Sequence, residues 1–165
     1  MKKIILVLTI LLLLCGCDEV GKENIDPNQR YYSLIDNINE HDSFLDHSNY
    51  YSIKTDMAKI NDGYRYYITI DEPKCALYDI EALAIEKNVD YSTNMAANVG
   101  IFDEKEYSMI PNQKNVDKGF VSGLVISGIT NSPETTLYIY VSFKNSDYSN
   151  VNNEYLKLDV RFEGE

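Results

Sequence analysis

TTLYIYVSF, residues 135–143, alternates side chains with a period of two, which places Leu137, Ile139, Val141 and Phe143 on one side of an extended chain. Its β-branched and aromatic residues, uninterrupted by Gly or Pro, predict a strand rather than a helix. YLKLDVRF, residues 155–162, repeats the rhythm with Leu156, Leu158, Val160 and Phe162. Together they predict two strands that each give one apolar face to a common core. Between them lies KNSDYSNVNNE, residues 144–154, rich in oxygen-bearing side chains. It lacks the D-x-[DN]-x-[DN]-G order of a calcium loop, and Asn and Ser are good turn formers, so a turn is the first reading and Ca²⁺ binding stays open.

The same period extends towards the N-terminus. YYSIKTDMAKI and YRYYITI flank Asn61-Asp62-Gly63, an Asp-Gly hairpin signal. In the second arm Tyr64, Tyr66, Ile68 and Ile70 share a face, and Asp71-Glu72-Pro73 ends the run. CALYDIEALAIEK, residues 75–87, fits both periods, since Leu77, Ile80, Leu83 and Ala84 match a helix while Tyr78, Ile80, Ala82 and Ala84 match a strand face. Strand is chosen, with Cys75 as a small buried hydrophobe upon it. A polar loop over 87–98 precedes short strands near VGIF and YSMIP, around a turn at Asp103 to Lys105. GFVSGLVISG reads as a further strand whose glycines signal a bulge or a close neighbour. Ahead of all this, Asp26 as N-cap, Pro27 at N1 and Gln29 at N3 open a helix over about 27–42, with Tyr31, Leu34, Ile35, Ile38 and Leu45 on one face. Asp36, Glu40 and Asp42, with His41 and His47 nearby, read as its solvated side.

Seven or eight short strands at turn-to-turn spacings of 8 to 12 residues predict a mainly β fold, an antiparallel β-sandwich with one N-terminal helix. The late strand rhythm resembles the immunoglobulin-like domains carried by many lipoproteins of Gram-positive bacteria. That resemblance spans residues 50–163 and implies an immunoglobulin-like sandwich, although no core Trp or Cys pair accompanies it.

The first residues follow a different grammar. MKKIILVLTILLLLCGC has a basic start at Lys2 and Lys3 and an apolar run from Ile4 to Leu14, too short for a hydrocarbon core that needs about 20 helical residues. Leu14-Cys15-Gly16-Cys17 resembles the lipobox of bacterial lipoproteins, with Leu at −3, Gly at −1 and Cys at +1. The resemblance implies cleavage between Gly16 and Cys17 and a diacylglycerol thioether on the Cys17 sulfur, with further acylation, such as palmitate, of the new amino group. Cys15 at −2, where Ala or Ser is commoner, departs from the pattern. The implied organisation is a signal peptide over 1–16, a lipidated Cys and tether over 17–26, and one sandwich domain with its helix over 27–165. The expected location is the outer side of the cell membrane. Asp18 at +2 signals inner-membrane retention only in cells with two membranes, and the Lys, Ile, Asn and Tyr bias favours a single-membrane, low-GC host.

Charge narrows the partners. With Lys2 and Lys3 gone with the leader, the 15 basic residues fall to 13 against 26 acidic ones, a net −13. Such a body repels phosphate backbones, which argues against nucleic acid and against a polybasic membrane patch. Cys75 is then the lone body cysteine, so no intramolecular disulfide is available to it.

No G-x-S-x-G, HExxH, CxxC or phosphate-binding glycine pattern occurs in the body, which predicts no catalytic set, no metal site and no cofactor. His41 and His47 are the two bases available to a hydrolytic triad, and both sit at the helix. Binding is therefore expected ahead of catalysis, with a structural or envelope-assembly lipoprotein without its own ligand as the alternative and a hydrolase as the least favoured class. A binding face made of Tyr31, Tyr32, Tyr64, Tyr67, Tyr138 and Tyr140 would suit an extracellular or envelope protein or glycan.

Overall fold

The computed structural model describes residues 25–146 and 150–164. Signal peptide, lipobox and most of the tether lie outside them, as do Asp147, Tyr148 and Ser149 of the turn considered for Ca²⁺. Chain order is α1 (Pro27–Glu40), β1 (Ser52–Ile60), β2 (Gly63–Asp71), β3 (Tyr78–Ile85), β4 (Ala97–Val99), a 3-10 turn (Val116–Lys118), β5 (Gly123–Thr130), β6 (Glu134–Lys144) and β7 (Val151–Arg161). The strands form two antiparallel sheets, β1-β2-β5 and β4-β3-β6-β7. The first, second and fifth strands thus lie in one sheet and the third, sixth and seventh in the other, with the fourth paired to the third, which makes a β-sandwich.

The alternation in β6 and β7 builds the core as expected. Leu137, Ile139, Val141 and Phe143 are buried between the sheets with Leu156 and Val160, while Leu158 and Phe162 are half-buried at the rim. From β2 come Tyr66, Ile68 and Ile70, with Tyr64 half-buried against Phe162. The other face of the larger sheet carries α1. Its Tyr31, Leu34, Ile35 and Ile38 pack on Leu83, Ile85 and Tyr140 in a second apolar cluster. Each such side chain contributes about 1.5–3 kcal/mol when removed from water, so the helix is held by its stripe rather than by its 14-residue length.

This three-layer arrangement explains the double signal in β3. Ala82 and Ala84 face the sheet-sheet core, while Leu83 and Ile85 face the helix. A register irregularity between Tyr78 and Glu81, with Asp79 at φ +51°, lets Leu77 and Ile80 both enter the core three residues apart. A bulged strand buried on two sides therefore imitates a helical stripe.

Several expectations shift. The helix ends at Glu40 rather than 42, and Leu45 leaves its face to form an isolated parallel bridge with Leu156 on β7, remaining exposed. In the hairpin, Ile60 pairs with Gly63, so Asn61 and Asp62 are the two turn residues, and of the three Gly63 alone has positive φ. The strand expected at VGIF lies two residues earlier as β4, because Gly100 turns the chain at φ +81°. YSMIP contributes isolated bridges at Ser108, Met109 and Ile110. Cys75 is neither buried nor on a strand: it sits exposed in the bend before β3.

The glycine expectation in β5 resolves at Gly128, which pairs with Tyr66 across the ladder. A Cβ there would stand 2.2 Å from Tyr66 Oη and 2.4 Å from its Cζ, so the aromatic ring lies over the glycine. Tyr66 is itself buried in the sheet-sheet core, so its ring must shift within that packing to make room. Gly128→Ala is expected to cost about 1–3 kcal/mol through overpacking, read as a lower urea midpoint at unchanged slope. A midpoint within error of the parent would show the ring relaxing freely.

Candidate functional site

Among the described residues the two sheets have four edge strands, and α1 occupies the outer face of the larger sheet, leaving the outer face of the smaller one. On the smaller sheet Val125 and Ile129 of β5 stand exposed beside the half-buried Tyr67. The β1 edge is shielded locally. Asp56 Oδ1 accepts the Met57 backbone N–H at 2.8 Å, and Lys54 and Lys59 point charges outward on the same strand.

The β7 edge differs. Leu45 lies against it, its N–H donating to Tyr155 O at 2.8 Å and its C=O accepting from Lys157 N–H at 2.9 Å. Those bonds reveal the alternation. Odd-numbered residues of β7 direct their backbone groups outward, whereas even-numbered ones face β6, as in the Phe162 N–H bond to Pro133 O at 2.7 Å. The segment at Leu45 covers one step of the edge. Beyond it, Lys157 O, Asp159 N and O, and Arg161 N continue outward without a backbone or side-chain partner among the described residues.

These groups open into a groove of about 830 Å³ between the middle of β1 and the C-terminal end of β7. Met57 and Val160 form its apolar floor, both buried. Asp56, Glu134, Asp159 and Glu163 line it against the single cation Arg161, four negative charges to one positive. Thr136 Oγ1 donates to Asp159 Oδ1 at 2.6 Å and so holds that carboxylate at the rim. Backbone donors and acceptors, an apolar floor and a net negative rim together suit an extended chain better than a compact small molecule.

The tyrosine face expected from sequence is not formed. Tyr31 and Tyr140 are buried beneath the helix, Tyr64 sits at the sheet-sheet rim, Tyr67 lies on the smaller sheet, and Tyr32 is exposed on the helix. Tyr138 packs edge-on to Phe44 at 5.0 Å with the Lys87 ammonium 4.7 Å from its ring centre. These rings serve packing. Their hydroxyls are used as well: Tyr31 Oη accepts the Ala96 N–H at 2.7 Å, and Tyr140 Oη bridges Arg30 and Asn153 at 3.3 and 2.9 Å. Arg30 also donates to Glu81 at 2.7 Å, tying α1 to β3.

His41 caps the helix and stacks on Tyr155 at a centroid distance of 3.8 Å, while exposed His47 bonds Asp46 beside it, so the two do not converge. Among the described residues no three His, Cys, Asp or Glu side chains gather as metal ligands. No described helix is long and apolar enough to cross a membrane.

Burial of tyrosines has a measurable consequence. Desolvation is the main cause pushing the Tyr51 and Tyr66 hydroxyls well above the usual value near 10, with the Glu154 carboxylate adding to it at Tyr51. Tyr91 is pushed up to about 12, chiefly by burial. An unfolded chain ionises these groups near pH 10 and the folded one does not, so their stabilising contribution is complete below pH 10 and is lost as pH rises. Tyr51 and Tyr66 each remove up to about 1.4 kcal/mol per pH unit above 10. Tyrosinate absorbance is expected in two phases, exposed rings near pH 10 and buried rings together with unfolding. A single phase near pH 10 with retained fold would contradict the burial.

No family model matches this chain, and no curated protein does. A solved structure, the X-ray structure of Northeast Structural Genomics Consortium target SoR45, is similar at TM-score 0.39 and 15% identity, over 73% of this chain and 91% of that one.

Proposed function

We propose that the protein is a lipid-anchored, extracytoplasmic binding module: a diacylglyceryl Cys17 holds it on the outer side of the membrane and the sandwich presents a recognition edge. The observation that supports binding is the outward-facing run of β7 backbone groups beside an acidic groove. The anchor rests on the Leu14-Cys15-Gly16-Cys17 junction after a basic start and an apolar run. Nine residues separate Cys17 from Pro27, so the helix can stand up to about 35 Å from the lipid surface. That reach leaves the groove accessible to other envelope components.

The test is affinity capture from intact envelopes with the full-length protein, followed by identification of bound species. A stoichiometric protein partner lost on Glu134→Lys/Glu163→Lys substitution supports the reading. Absence of any partner, with normal envelope assembly dependent on the protein, would favour a structural lipoprotein.

A further inference from the structure

We infer that the free stretch of the β7 edge takes an extended, basic segment of a partner protein, which adds as a strand parallel to β7 and continues where Leu45 stops. The inference deepens the binding reading above by naming the partner's chemistry and the residues that receive it.

The geometry is already drawn by the chain itself. Leu45 pairs parallel to Leu156, donating to Tyr155 O and accepting from Lys157 N–H. In a parallel ladder, the next strand residue on that edge two positions further along donates to Lys157 O and accepts from Asp159 N–H. The one after it donates to Asp159 O and accepts from Arg161 N–H. Those four groups have no partner among the described residues, because the chain turns away after Leu45 towards β1. An incoming segment thus finds two ready steps of a sheet whose first step is occupied.

The neighbouring β1 edge does not compete for this role. Its Met57 N–H is taken by Asp56 Oδ1, which removes one donor from that edge beside the groove and makes β7 the better accepting side. Alternate side chains of an added strand point to opposite faces. One set meets the floor at Met57 and Val160, and the other meets the rim carboxylates. Apolar residues alternating with Lys or Arg fit that pair of surfaces. Charge decides the sign: four carboxylates against Arg161 and Lys157 leave the site net acidic, which favours a cationic segment and repels a second copy of this chain, which itself carries −11.

The test uses the full-length protein in non-ionic detergent and a fluorescent acetyl-KVKVKVK-amide peptide, read by anisotropy. Saturable binding is expected, at least tenfold weaker when the peptide is N-methylated along one of its two edges, since pairing needs those N–H groups. Glu134→Gln/Glu163→Gln, two exposed carboxylates without a role in packing, is expected to weaken binding severalfold at low salt. A photo-reactive group on the peptide should label residues within 157–161 or the adjoining part of β1. Three results would overturn the proposal: no binding at millimolar peptide, full binding by both N-methylated isomers, or labelling elsewhere. Sedimentation showing a dimer that the peptide dissociates would assign the edge to a second copy and overturn it too. None of these readouts depends on the anchor, so failure here is distinguishable from an unmodified Cys17.

Discussion

Phe143→Ala is expected to lower unfolding free energy by about 3–5 kcal/mol, a large part of the 5–15 kcal/mol typical of a domain. Phe143 is 1% exposed at the end of β6 and meets Tyr50 and Tyr51 edge-on at 5.2 and 6.2 Å. Its removal deletes an aromatic side chain's transfer free energy and leaves a cavity that the surrounding strands cannot fully close. Tyr51 Oη and Glu154 Oε2 are buried nearby without bonding partners of good geometry among the described residues, so water admitted by the cavity would hydrate them and offset part of the loss, which places the expected cost at the lower end of that range. Phe143→Leu, which keeps much of the volume, is expected to cost markedly less. Urea titrations of both variants separate the cases. A loss below about 1 kcal/mol for the alanine variant would show that this end of the sandwich is not close-packed.

Cys17→Ala is expected to abolish incorporation of labelled palmitate and to remove the mature protein from the membrane fraction. In the proposed lipoprotein reading the Cys17 thiol is the nucleophile that accepts diacylglycerol, and alanine offers no atom to form the thioether. Each buried methylene contributes about 0.8 kcal/mol, and stable anchoring takes two or more chains, so losing the thioether-linked pair changes partition qualitatively. The variant accumulates either as uncleaved precursor, heavier by the 16-residue leader, or as released chain. Intact-mass measurement of the wild-type protein is the direct check. An unmodified N-terminus, or a variant that fractionates and labels normally, would remove the lipoprotein reading while leaving the fold untouched.

The elements legible in the sequence are those where one physical signal dominates. A period of two with a single buried face specifies β2 and β7, the strict apolar alternation of Leu137, Ile139, Val141 and Phe143 specifies β6 even though α1 also buries Tyr140 on its other face, and the Asp26-Pro27 start with the Tyr31, Leu34, Ile35 and Ile38 stripe specifies α1. Legibility falls where two surfaces act on one segment. β3 is buried from both sides and bulged, so its pattern satisfied two periods at once. Cys75 looked like a core residue from its chemistry alone, but the bend before β3 turns it outward, and composition carries no information about that bend. The tyrosines fail as a face for the same reason: strand alternation predicts which side a ring takes but not whether that side receives a helix.

The candidate site was illegible for a further reason. Asp56, Glu134, Asp159, Arg161 and Glu163 come from β1, β6, β7 and the segment after it, and 26 acidic residues make any such grouping unremarkable along the chain. What the sequence by itself determined is α1 and the strands with one clear period, because periodicity is local and one residue's burial constrains its neighbours two or four positions away. Only the tertiary structure decided which edge stays open, since an unpaired backbone group is defined by what does not lie beside it, and Leu45 covers one step of β7 and no more.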